Sequence, residues 1–321
     1  MRSDRIIDVS RLIEAFDKPE FVRREEAYSR LGITPSLAVV MAGEDPGSLS
    51  YMRGIERFCR SRQVSFHSVV CMDSRHLEKT IHELNQDEET HGIMILYPTP
   101  FRGKDTRFMN AVSPAKDVEG LHHTHLGYLV QFEQFKDPLK LKKLVIPPTA
   151  KGILYIFKRY ALLYEEAKKR DGAYPLGFDE NPFTITGKRF TIINDSLAVG
   201  RSLALMLLNE NGSVRVCHRH TSFREVLALC HRSDVIVSAV PGPFTIPTEE
   251  VPRGAVVIDI SFEGNFEYPD VSTKAGLIAP KWNLTEKGNR INDMTLYRLL
   301  SNLYYLIDAG LPPGILRRYH S

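Results

Sequence analysis

The segment RFTIINDSLAVGRSLALMLL, at Arg189–Leu208, decides the fold of this chain. Its first five residues are an apolar run that predicts a buried β-strand, and Val199–Leu208 has the apolar periodicity of a helix. The loop Asn194–Gly200 joins them and ends in a helix N-terminus, where free backbone N–H groups and the helix dipole favour an anion such as a pyrophosphate. An ordinary strand–helix loop with Ser196 as N-cap explains the segment equally well, since Gly200 is all that remains of a G-x-G-x-x-G pattern.

Short apolar strands alternate with helical segments on both sides of this segment. Strands are predicted at Ser36–Gly43, Val64–Cys71, Gly92–Tyr97, Ser213–Cys217, Val235–Val240 and Val256–Ile260, and helices at Tyr51–Arg62, His76–Leu84, Phe223–His231 and Thr295–Ile307. A further long helix runs through Tyr164, with Thr149 as its N-cap. The alternation predicts mostly parallel sheets with helices on both faces, and the second series has the order that a dinucleotide-binding half-sheet requires.

Composition and charge exclude several classes of protein. The 321 residues are 43% apolar and 25% charged, which is ordinary globular composition, and their number is comfortable for two domains. The chain has no run of about 18 apolar residues and no apolar signal core at its charged N-terminus, so we predict a cytosolic protein without a membrane span. The net charge of +3 is too small and too evenly spread to indicate a nucleic-acid partner. The cysteines form no CxxC pair and are expected to be buried reduced thiols: Cys59, Cys71, Cys217 and Cys230.

Six short motifs stand in order along the chain. Ser48 and Tyr51 fit a Ser-x-x-Tyr-x-x-x-Lys pattern in which Ile55 takes the lysine position. The other five are Gly92–Pro100 (GIMILYPTP), Lys116–Gly120 (KDVEG), Pro147–Gly152 (PPTAKG), Asn194–Ser202 (NDSLAVGRS) and Met294-Thr295 with Asn302 downstream. By these motifs and their separations, the chain resembles the methylenetetrahydrofolate dehydrogenase/cyclohydrolase family along nearly its whole length.

The resemblance implies an α/β fold of two domains with a cleft between them. Residues 1–150 with 303–321 would form an N-terminal α/β folate-binding catalytic domain, and residues 151–302 a Rossmann-like dinucleotide-binding domain. The implied activity is the oxidation of 5,10-methylenetetrahydrofolate to the methenyl form, with NAD or NADP as cofactor. A one-carbon derivative of tetrahydrofolate is then the partner molecule, and a homodimer is expected.

The same resemblance assigns the residues of the folate site. Tyr51 would stack on the folate or hydrogen-bond to it, and Glu119 would grip the pterin, since a carboxylate accepts paired hydrogen bonds from an amino and ring N–H edge. We assign the catalytic roles to these two residues. Ser48, Tyr97 and Pro98 would line the same cleft, because loops at the carboxyl ends of strands form the crevice in such sheets. A core role for Tyr51 and a packing role for Tyr97 are the alternatives.

Two polar side chains of the family's folate site are replaced by apolar ones. The family's lysine, which serves the cyclohydrolase step, is Ile55, and the neighbouring glutamine is Leu96. An aliphatic side chain at the substrate has no proton to give or take. The losses resemble the monofunctional NAD-dependent branch of the family and predict a dehydrogenase without cyclohydrolase activity. The alternatives are a bifunctional enzyme in which another group replaces the lysine, and a non-catalytic relative that binds folate or nucleotide.

The cofactor site would be built around the loop that follows the strand Arg189–Ile193. The candidates are Asn194, Asp195, Ser196, Val199, Gly200, Arg201, Arg219, Pro241 and Thr295. Asp195 stands where bifunctional members carry an arginine associated with the 2′-phosphate of NADP, and a carboxylate there would repel a phosphate. Arg219 argues the other way, because no acid follows the strand ending at Cys217 and an arginine can bind that phosphate. We expect NAD rather than NADP.

The stretch Leu121–His125 (LHHTH) is rich in histidine, yet no metal site is predicted there. No cysteine lies nearby, and the one close acid, Glu119, already belongs to the folate motif. We therefore expect a packing or solvated role for His122, His123 and His125.

Overall fold

The computed structural model describes residues 3–320, except 102, 104, 134, 136–141, 281–283 and 286–288. In this part of the chain the strands are β1 (Ser36–Ala42), β2 (Ser65–Cys71), β3 (Gly92–Ile95), β4 (Arg189–Ile193), β5 (Ser213–Cys217), β6 (Val235–Ser238), β7 (Val256–Asp259) and β8 (Leu277–Ala279). The α-helices are α1 (Val9–Leu12), α2 (Lys18–Arg30), α3 (Pro46–Ser61), α4 (Ser74–Gln86), α5 (Asp105–Ala111), α6 (His123–Val130), α7 (Pro148–Asp171), α8 (Ser202–Asn209), α9 (Phe223–Cys230), α10 (Val271–Lys274), α11 (Ile291–Gly310) and α12 (Pro313–His320). Two π-helical turns, Ile13–Asp17 and Leu197–Arg201, lead into α2 and α8.

These strands form two sheets in which every strand pairing is parallel. One sheet has the order β2-β1-β3, and the other has the order β5-β4-β6-β7-β8. In each sheet the chain adds a strand on one side of the first strand and then returns to the other side. The strand order therefore reverses between β1 and β3 and between β4 and β6, and the carboxyl ends of such pairs are where ligands bind in α/β sheets. The predicted two-domain α/β class with parallel sheets is confirmed.

The chain divides into two compact units. Met1–Ala15 and Thr149–Thr295 form the unit of the five-stranded sheet, called the five-stranded unit below. Phe16–Pro148 and Leu296–Ser321 form the three-stranded unit. Each unit is therefore made of two separate stretches of sequence.

These bounds differ from the predicted ones at both ends of the chain. The first fifteen residues belong to the five-stranded unit, where Ile7 N–H donates to the Ile278 carbonyl at 2.9 Å and the Tyr160 hydroxyl donates to the Asp8 carbonyl. Residues 296–302 belong to the three-stranded unit, where the Asn302 amide donates to the carbonyls of Val118 at 2.8 Å and Ile146 at 2.7 Å. Both segments lie far in sequence from the sheets they join, so strand and helix periodicity gave no signal for them.

Each sheet packs its apolar residues against helices of its own unit. All seven residues of β1 are buried, and Val40, Ile93 and Ile95 pack with Leu77 of α4 and Phe108 of α5. In the five-stranded unit the strands contribute Ile193, Ile236, Val257 and Ile278 to a core that α9 and α10 cover with Val226, Cys230, Val271 and their neighbours. The four cysteines are buried and free, as expected.

The contact between α2 and α11 in the three-stranded unit contains buried charges. Arg24 pairs with Asp308, and the Tyr28 hydroxyl donates to the same carboxylate at 2.7 Å. Asp17 pairs with Arg298, and both side chains are shielded from water. Breaking a buried pair leaves an uncompensated charge, so α11 is held to α2 by contacts that cannot be lost singly without a large cost.

None of the described helices combines the length and the apolar character that crossing a membrane demands.

Candidate active site

The candidate folate residues of the three-stranded unit lie at the carboxyl ends of β1 and β3. After β1, the Asp45 carboxylate caps α3 by accepting the Ser48 N–H at 2.6 Å, so the helix begins at Pro46. Ser48 lies in the first turn of α3, and Tyr51 follows one turn later, half-buried. Tyr97 and Pro98 follow β3, with Tyr97 half-buried and Pro98 exposed.

Glu119 is brought to the same place by a tight turn that follows a short segment paired alongside β3. Asp117 bridges to Ile93, and its buried carboxylate accepts the N–H groups of Glu119 and Gly120, each at 3.0 Å. Gly120 has a φ of +65°, and a Cβ there would lie 3.0 Å from the carbonyl carbon of Ile146, so the turn requires glycine. The Glu119 side chain then folds back, and its Oε2 accepts the N–H of Ile95 at 3.2 Å.

Burial and negative charge control protonation in this cluster. Burial raises the pKa of Glu119 well above its usual range, and the neighbouring Asp117 charge raises it further. The pKa values of Tyr51 and Tyr97 are raised as well, first by burial and then by the charge of Glu119. Glu119 therefore lies close enough to both phenols for their charges to interact. The cluster thus combines a carboxyl group with two protonated phenols, and these groups offer a ligand both hydrogen-bond acceptors and hydrogen-bond donors.

The two apolar replacements are buried. Ile55 has no exposed surface and Leu96 is 6% exposed, so neither presents a polar or ionisable group to a ligand. Ile55 lies one helical turn after Tyr51 in α3, as predicted, but it packs in the core instead of lining an open surface. Tyr97 packs against the apolar cluster around Val40, so its ring has the packing role that was the alternative, whereas its position beside Glu119 is that of a site residue.

The loop after β4 holds most of the candidate cofactor residues of the five-stranded unit. Ser196 caps the following turn, since its side chain accepts the Val199 N–H at 3.2 Å. Gly200 lies so close to the start of the loop that a Cβ there would be 1.7 Å from the Asn194 carbonyl oxygen, so the loop requires glycine at this position. Within the described residues no acceptor engages the N–H groups of Leu197 and Ala198, the first two of the turn. Two open backbone donors at a helix start fit a pyrophosphate.

The charged candidates of this unit are exposed. Asp195 and Arg201 form an ion pair at 3.5 Å, with side chains 45% and 61% exposed. Arg219 follows β5, where its Nε donates to His220 Nε2 at 3.1 Å. An exposed ion pair contributes little to stability, so these charges are free to respond to a ligand.

Pro241 and Thr295 are placed differently from each other. Pro241 follows β6 and is exposed, beside the loop after β4 at the point where the strand order reverses. Thr295 is buried in α11, and its hydroxyl donates to the Ile291 carbonyl at 3.1 Å within the same helix. Its side chain is thus engaged by its own helix, which gives no support to the predicted cofactor contact.

A buried polar network behind Pro241 was not predicted. Asn265 is fully buried, and its Oδ1 accepts the Ser238 hydroxyl at 2.7 Å and the Val240 N–H at 3.0 Å. The Asp259 carboxylate at the end of β7 accepts the Asn265 N–H at 2.9 Å and the Tyr268 hydroxyl at 2.9 Å. The network fixes the carboxyl ends of β6 and β7. The sequence signal was the polar residue that ends each of these two apolar strands.

The histidine-rich stretch has structural contacts. His122 caps α6 by accepting the Thr124 N–H at 3.1 Å, and its ring lies 4.1 Å from that of His123. His125 is buried, with Nε2 2.9 Å from the Pro114 carbonyl oxygen. Among the residues that the structure describes, no group of three His, Cys, Asp or Glu side chains is arranged to hold a metal ion.

The fold and the two sites define a class of protein. A three-stranded parallel unit with a carboxyl–phenol cluster is joined in one chain to a five-stranded parallel sheet, and the strand order of the larger sheet is typical of proteins that bind a dinucleotide. Residues 9–119 match the catalytic domain of tetrahydrofolate dehydrogenase/cyclohydrolase, and residues 178–309 match the NAD(P)-binding domain of the same proteins. The chain belongs to the tetrahydrofolate dehydrogenase/cyclohydrolase family.

Known proteins of this family resemble the chain over nearly its whole length. The bifunctional protein FolD of Caldicellulosiruptor saccharolyticus is 30% identical over 308 residues, which cover 92% of this chain and 98% of the relative. The NAD-dependent 5,10-methylenetetrahydrofolate dehydrogenase of Saccharomyces cerevisiae has a similar structure, with a TM-score of 0.76 and 25% identity over 93% of this chain and 95% of that one. The bifunctional FolD of Campylobacter jejuni shares the fold, with a TM-score of 0.77 and 23% identity over 95% and 99%.

The family assignment confirms the predicted class of enzyme: an NAD(P)-dependent oxidoreductase of tetrahydrofolate one-carbon metabolism. The homodimer and the cytosolic location stay predictions.

Proposed function

We propose that this chain oxidises 5,10-methylenetetrahydrofolate to the 5,10-methenyl form and lacks cyclohydrolase activity. A hydride leaves the methylene carbon, and the adjacent nitrogen lone pairs stabilise the cation that remains. The bound dinucleotide supplies the hydride acceptor. The chain has to bind the pterin edge, which is the role proposed for Tyr51 and Glu119, and to hold the carbon in position.

The observation that carries the proposal is the burial of Ile55. Hydrolysis of the methenyl carbon requires water to add and protons to move, and the family uses a lysine at this position. Ile55 has no ionisable group and no exposed surface, and Leu96 nearby is also buried and apolar. Oxidation needs no acid–base group at this point, so the dehydrogenase step survives the loss while the hydrolytic step does not.

The test is to restore the lysine. Ile55→Lys should gain hydrolysis of added methenyltetrahydrofolate, followed by the decay of its absorbance, and Ile55→Met is the matched control of similar length without an amine. The wild type and Ile55→Met should decay at the spontaneous rate. Wild-type hydrolysis above that rate would refute the missing step. Burial lowers the pKa of a lysine, so any gained activity should persist well below the pH at which a free lysine deprotonates.

A bifunctional enzyme is the second candidate, and one observation favours it. Glu119 has a raised pKa, so its carboxyl holds a proton closer to neutral pH than an exposed glutamate does and could move protons in place of the lysine. Under this hypothesis the wild type hydrolyses the methenyl compound, and Glu119→Gln abolishes that activity. Absence of hydrolysis in the wild type rejects it.

The proposed acceptor is NAD. Asp195 is an exposed carboxylate on the cofactor loop, and its exposed pair with Arg201 leaves its negative charge largely in place against a 2′-phosphate. Arg219 is the group that opposes this preference. The ratio of kcat/KM for NAD to that for NADP should exceed one in the wild type and fall in Asp195→Asn. A wild type that prefers NADP, with the preference lost in Arg219→Ala, would overturn the proposal.

A further inference from the structure

The side chain of Asn194 ties the loop after β4 together. Its Oδ1 accepts the Ser196 N–H at 2.9 Å, the Ser196 hydroxyl at 2.7 Å and the Gly200 N–H at 3.1 Å. Its Nδ2 donates to the Ala239 carbonyl at 3.0 Å. Ala239 follows β6, so one amide links the loop to the neighbouring strand at the point where the strand order reverses.

These bonds decide which backbone donors stay open. Asn194 engages the Gly200 N–H directly, and it orients the Ser196 hydroxyl that accepts the Val199 N–H. The N–H groups of Leu197 and Ala198 find no acceptor within the described part of the chain. The loop therefore offers one adjacent pair of donors, in a fixed place.

The backbone supports the same geometry. Since a Cβ on Gly200 would lie 1.7 Å from the Asn194 carbonyl oxygen, the two ends of the loop are in direct contact. The amide of Asn194 closes this contact with a hydrogen bond. A loop that is ordered before binding loses less conformational entropy when a ligand arrives, and this preorganisation increases affinity.

We propose that Asn194 is a positioning residue that holds the N–H groups of Leu197 and Ala198 in place for the pyrophosphate of the dinucleotide. It acts through the loop and through Ala239, with both ends of its amide already engaged by the protein. The proposal rests on the proposed function only in that the chain binds a dinucleotide.

The experiment compares two variants with a matched control. Asn194→Ala removes the amide, and Asn194→Asp keeps the acceptor but places an oxygen against the Ala239 carbonyl. The control is Asn181→Ala in the same unit. Asn181 is buried, whereas Asn194 is half-buried, and its side chain makes three hydrogen bonds where that of Asn194 makes four. Its amide donates to the Ala161 carbonyl and to Glu165, and its Oδ1 accepts the Phe183 N–H.

The ligands separate positioning from stability. ADP-ribose carries the pyrophosphate and adenosine lacks it, and both are titrated against the full-length chain by calorimetry or by competition. Asn194→Ala should weaken ADP-ribose by about tenfold, the equivalent of one or two lost hydrogen bonds, and leave adenosine unchanged. The KM for NAD should rise by a similar factor, while kcat and the KM for the folate stay as in the wild type. Asn194→Asp should weaken ADP-ribose further, because it adds a negative charge beside the pyrophosphate.

The control variant and the outcomes that would overturn the proposal can be told apart. Asn181→Ala should lower the thermal midpoint and leave ADP-ribose binding unchanged. ADP-ribose binding that is equal or tighter in Asn194→Ala would overturn the proposal, since the amide would then only occupy donors. An equal loss in Asn181→Ala would overturn it too. Should the alanine variant fail to fold, Asn194→Ser, which also removes the amide and adds no charge, carries the same test. A wild type that binds no ADP-ribose would overturn the proposed function along with this inference.

Discussion

Replacing Glu119 by glutamine separates the binding role of this carboxylate from its cost to the fold. The side chain keeps its shape, and one oxygen can still accept the Ile95 N–H at 3.2 Å. The other position becomes an amino group. The pterin is proposed to present an amino group and a ring N–H to Glu119, and both are donors. In the variant the amide NH₂ of glutamine faces one of these donors, so one hydrogen bond is lost.

The size of the effect follows from the hydrogen bonds involved. A bond to a charged acceptor contributes about 1.5–3 kcal/mol, so losing one in Glu119→Gln should raise the KM for the folate by roughly 10- to 100-fold. The KM for NAD should not change, because Glu119 lies in the three-stranded unit. In the wild type the folate KM should fall as the pH rises through the raised pKa of Glu119, since only the ionised carboxylate accepts both donors. The variant should show no such slope.

Whereas Glu119→Gln should weaken folate binding, the same substitution should stabilise the fold at high pH. The pKa of Glu119 is raised in the folded protein, first by burial and then by Asp117. Its neutral form therefore contributes stability that is fully present below the unfolded-state pKa and is lost as the pH rises through the folded-state pKa. Glutamine cannot ionise, so Glu119→Gln should unfold at higher denaturant concentration than the wild type on the alkaline side of that range.

The assays are folate KM against pH and urea unfolding against pH, with Glu133→Gln as an exposed control that should change neither. Folate binding that is equal in wild type and Glu119→Gln would refute the proposed contact. A variant less stable than the wild type at high pH would refute the assignment of a costly buried charge.

Three further substitutions test other parts of the structure. Gly200→Ala would place a Cβ 1.7 Å from the Asn194 carbonyl oxygen, so the loop has to shift and calorimetric titration should show dinucleotide binding weakened by at least about tenfold. Asp308→Ala leaves the buried Arg24 with Glu20 at 3.3 Å as its remaining acidic partner and should reduce the free energy of unfolding in urea by about 1.5–3 kcal/mol. Asn302→Ala leaves two loop carbonyls beside the Glu119 turn without their donor, which should cost about 1–3 kcal/mol and raise the folate KM while the NAD KM stays constant.

Each substitution has a control of the same residue type or the same kind of interaction. A Cβ in Gly54→Ala would meet no atom nearer than the end of the Arg57 side chain at 4.0 Å, so weaker dinucleotide binding in this variant would undermine the argument from Gly200. Glu26→Ala breaks an exposed pair and should cost under about 1 kcal/mol, and a loss as large as that of Asp308→Ala would contradict the role of burial. Asn85→Ala removes an amide that joins two other loop positions of the same unit, and it should leave the folate KM unchanged.

Apolar runs predicted the positions of most strands, but they predicted the ends of strands and helices less accurately. The strand predicted at Ser36–Gly43 is β1, and that at Val235–Val240 is β6 with a shorter end, because residues 239 and 240 turn toward the network of Asn265. The helix predicted from Tyr51 begins five residues earlier, at Pro46. Asp45 followed by a proline is a helix start, but the same residues are also common in turns, so the prediction assigned them to a loop. The three-residue strand β8 is too short to show a periodicity.

The site divides in the same way. Sequence placed Tyr97 at a strand end, Tyr51 on a helix and Glu119 in a family motif, and the structure brings the three side chains close enough for their charges to interact. The sequence could not show that the Thr295 hydroxyl bonds to a carbonyl of its own helix, since the orientation of a side chain in a mostly apolar helix depends on packing. Nor could it show the four bonds of Asn194, which join residues up to 45 positions apart.

The interleaving of the two units has a consequence during synthesis on the ribosome. The sheet of the three-stranded unit emerges early, but α11, which holds Asp308 and Asn302, follows only after the whole of Thr149–Thr295. At about 5–20 residues per second, the early segment waits roughly 7–30 s for the helix that covers Arg24 and anchors the Glu119 turn. During that interval the nascent chain exposes the apolar surface that α11 later covers, and Arg24 has its helix partner Glu20 but not Asp308. The five-stranded unit also waits, since its first fifteen residues join a sheet whose last strand, β8, is made late, but it has no segment beyond Thr295.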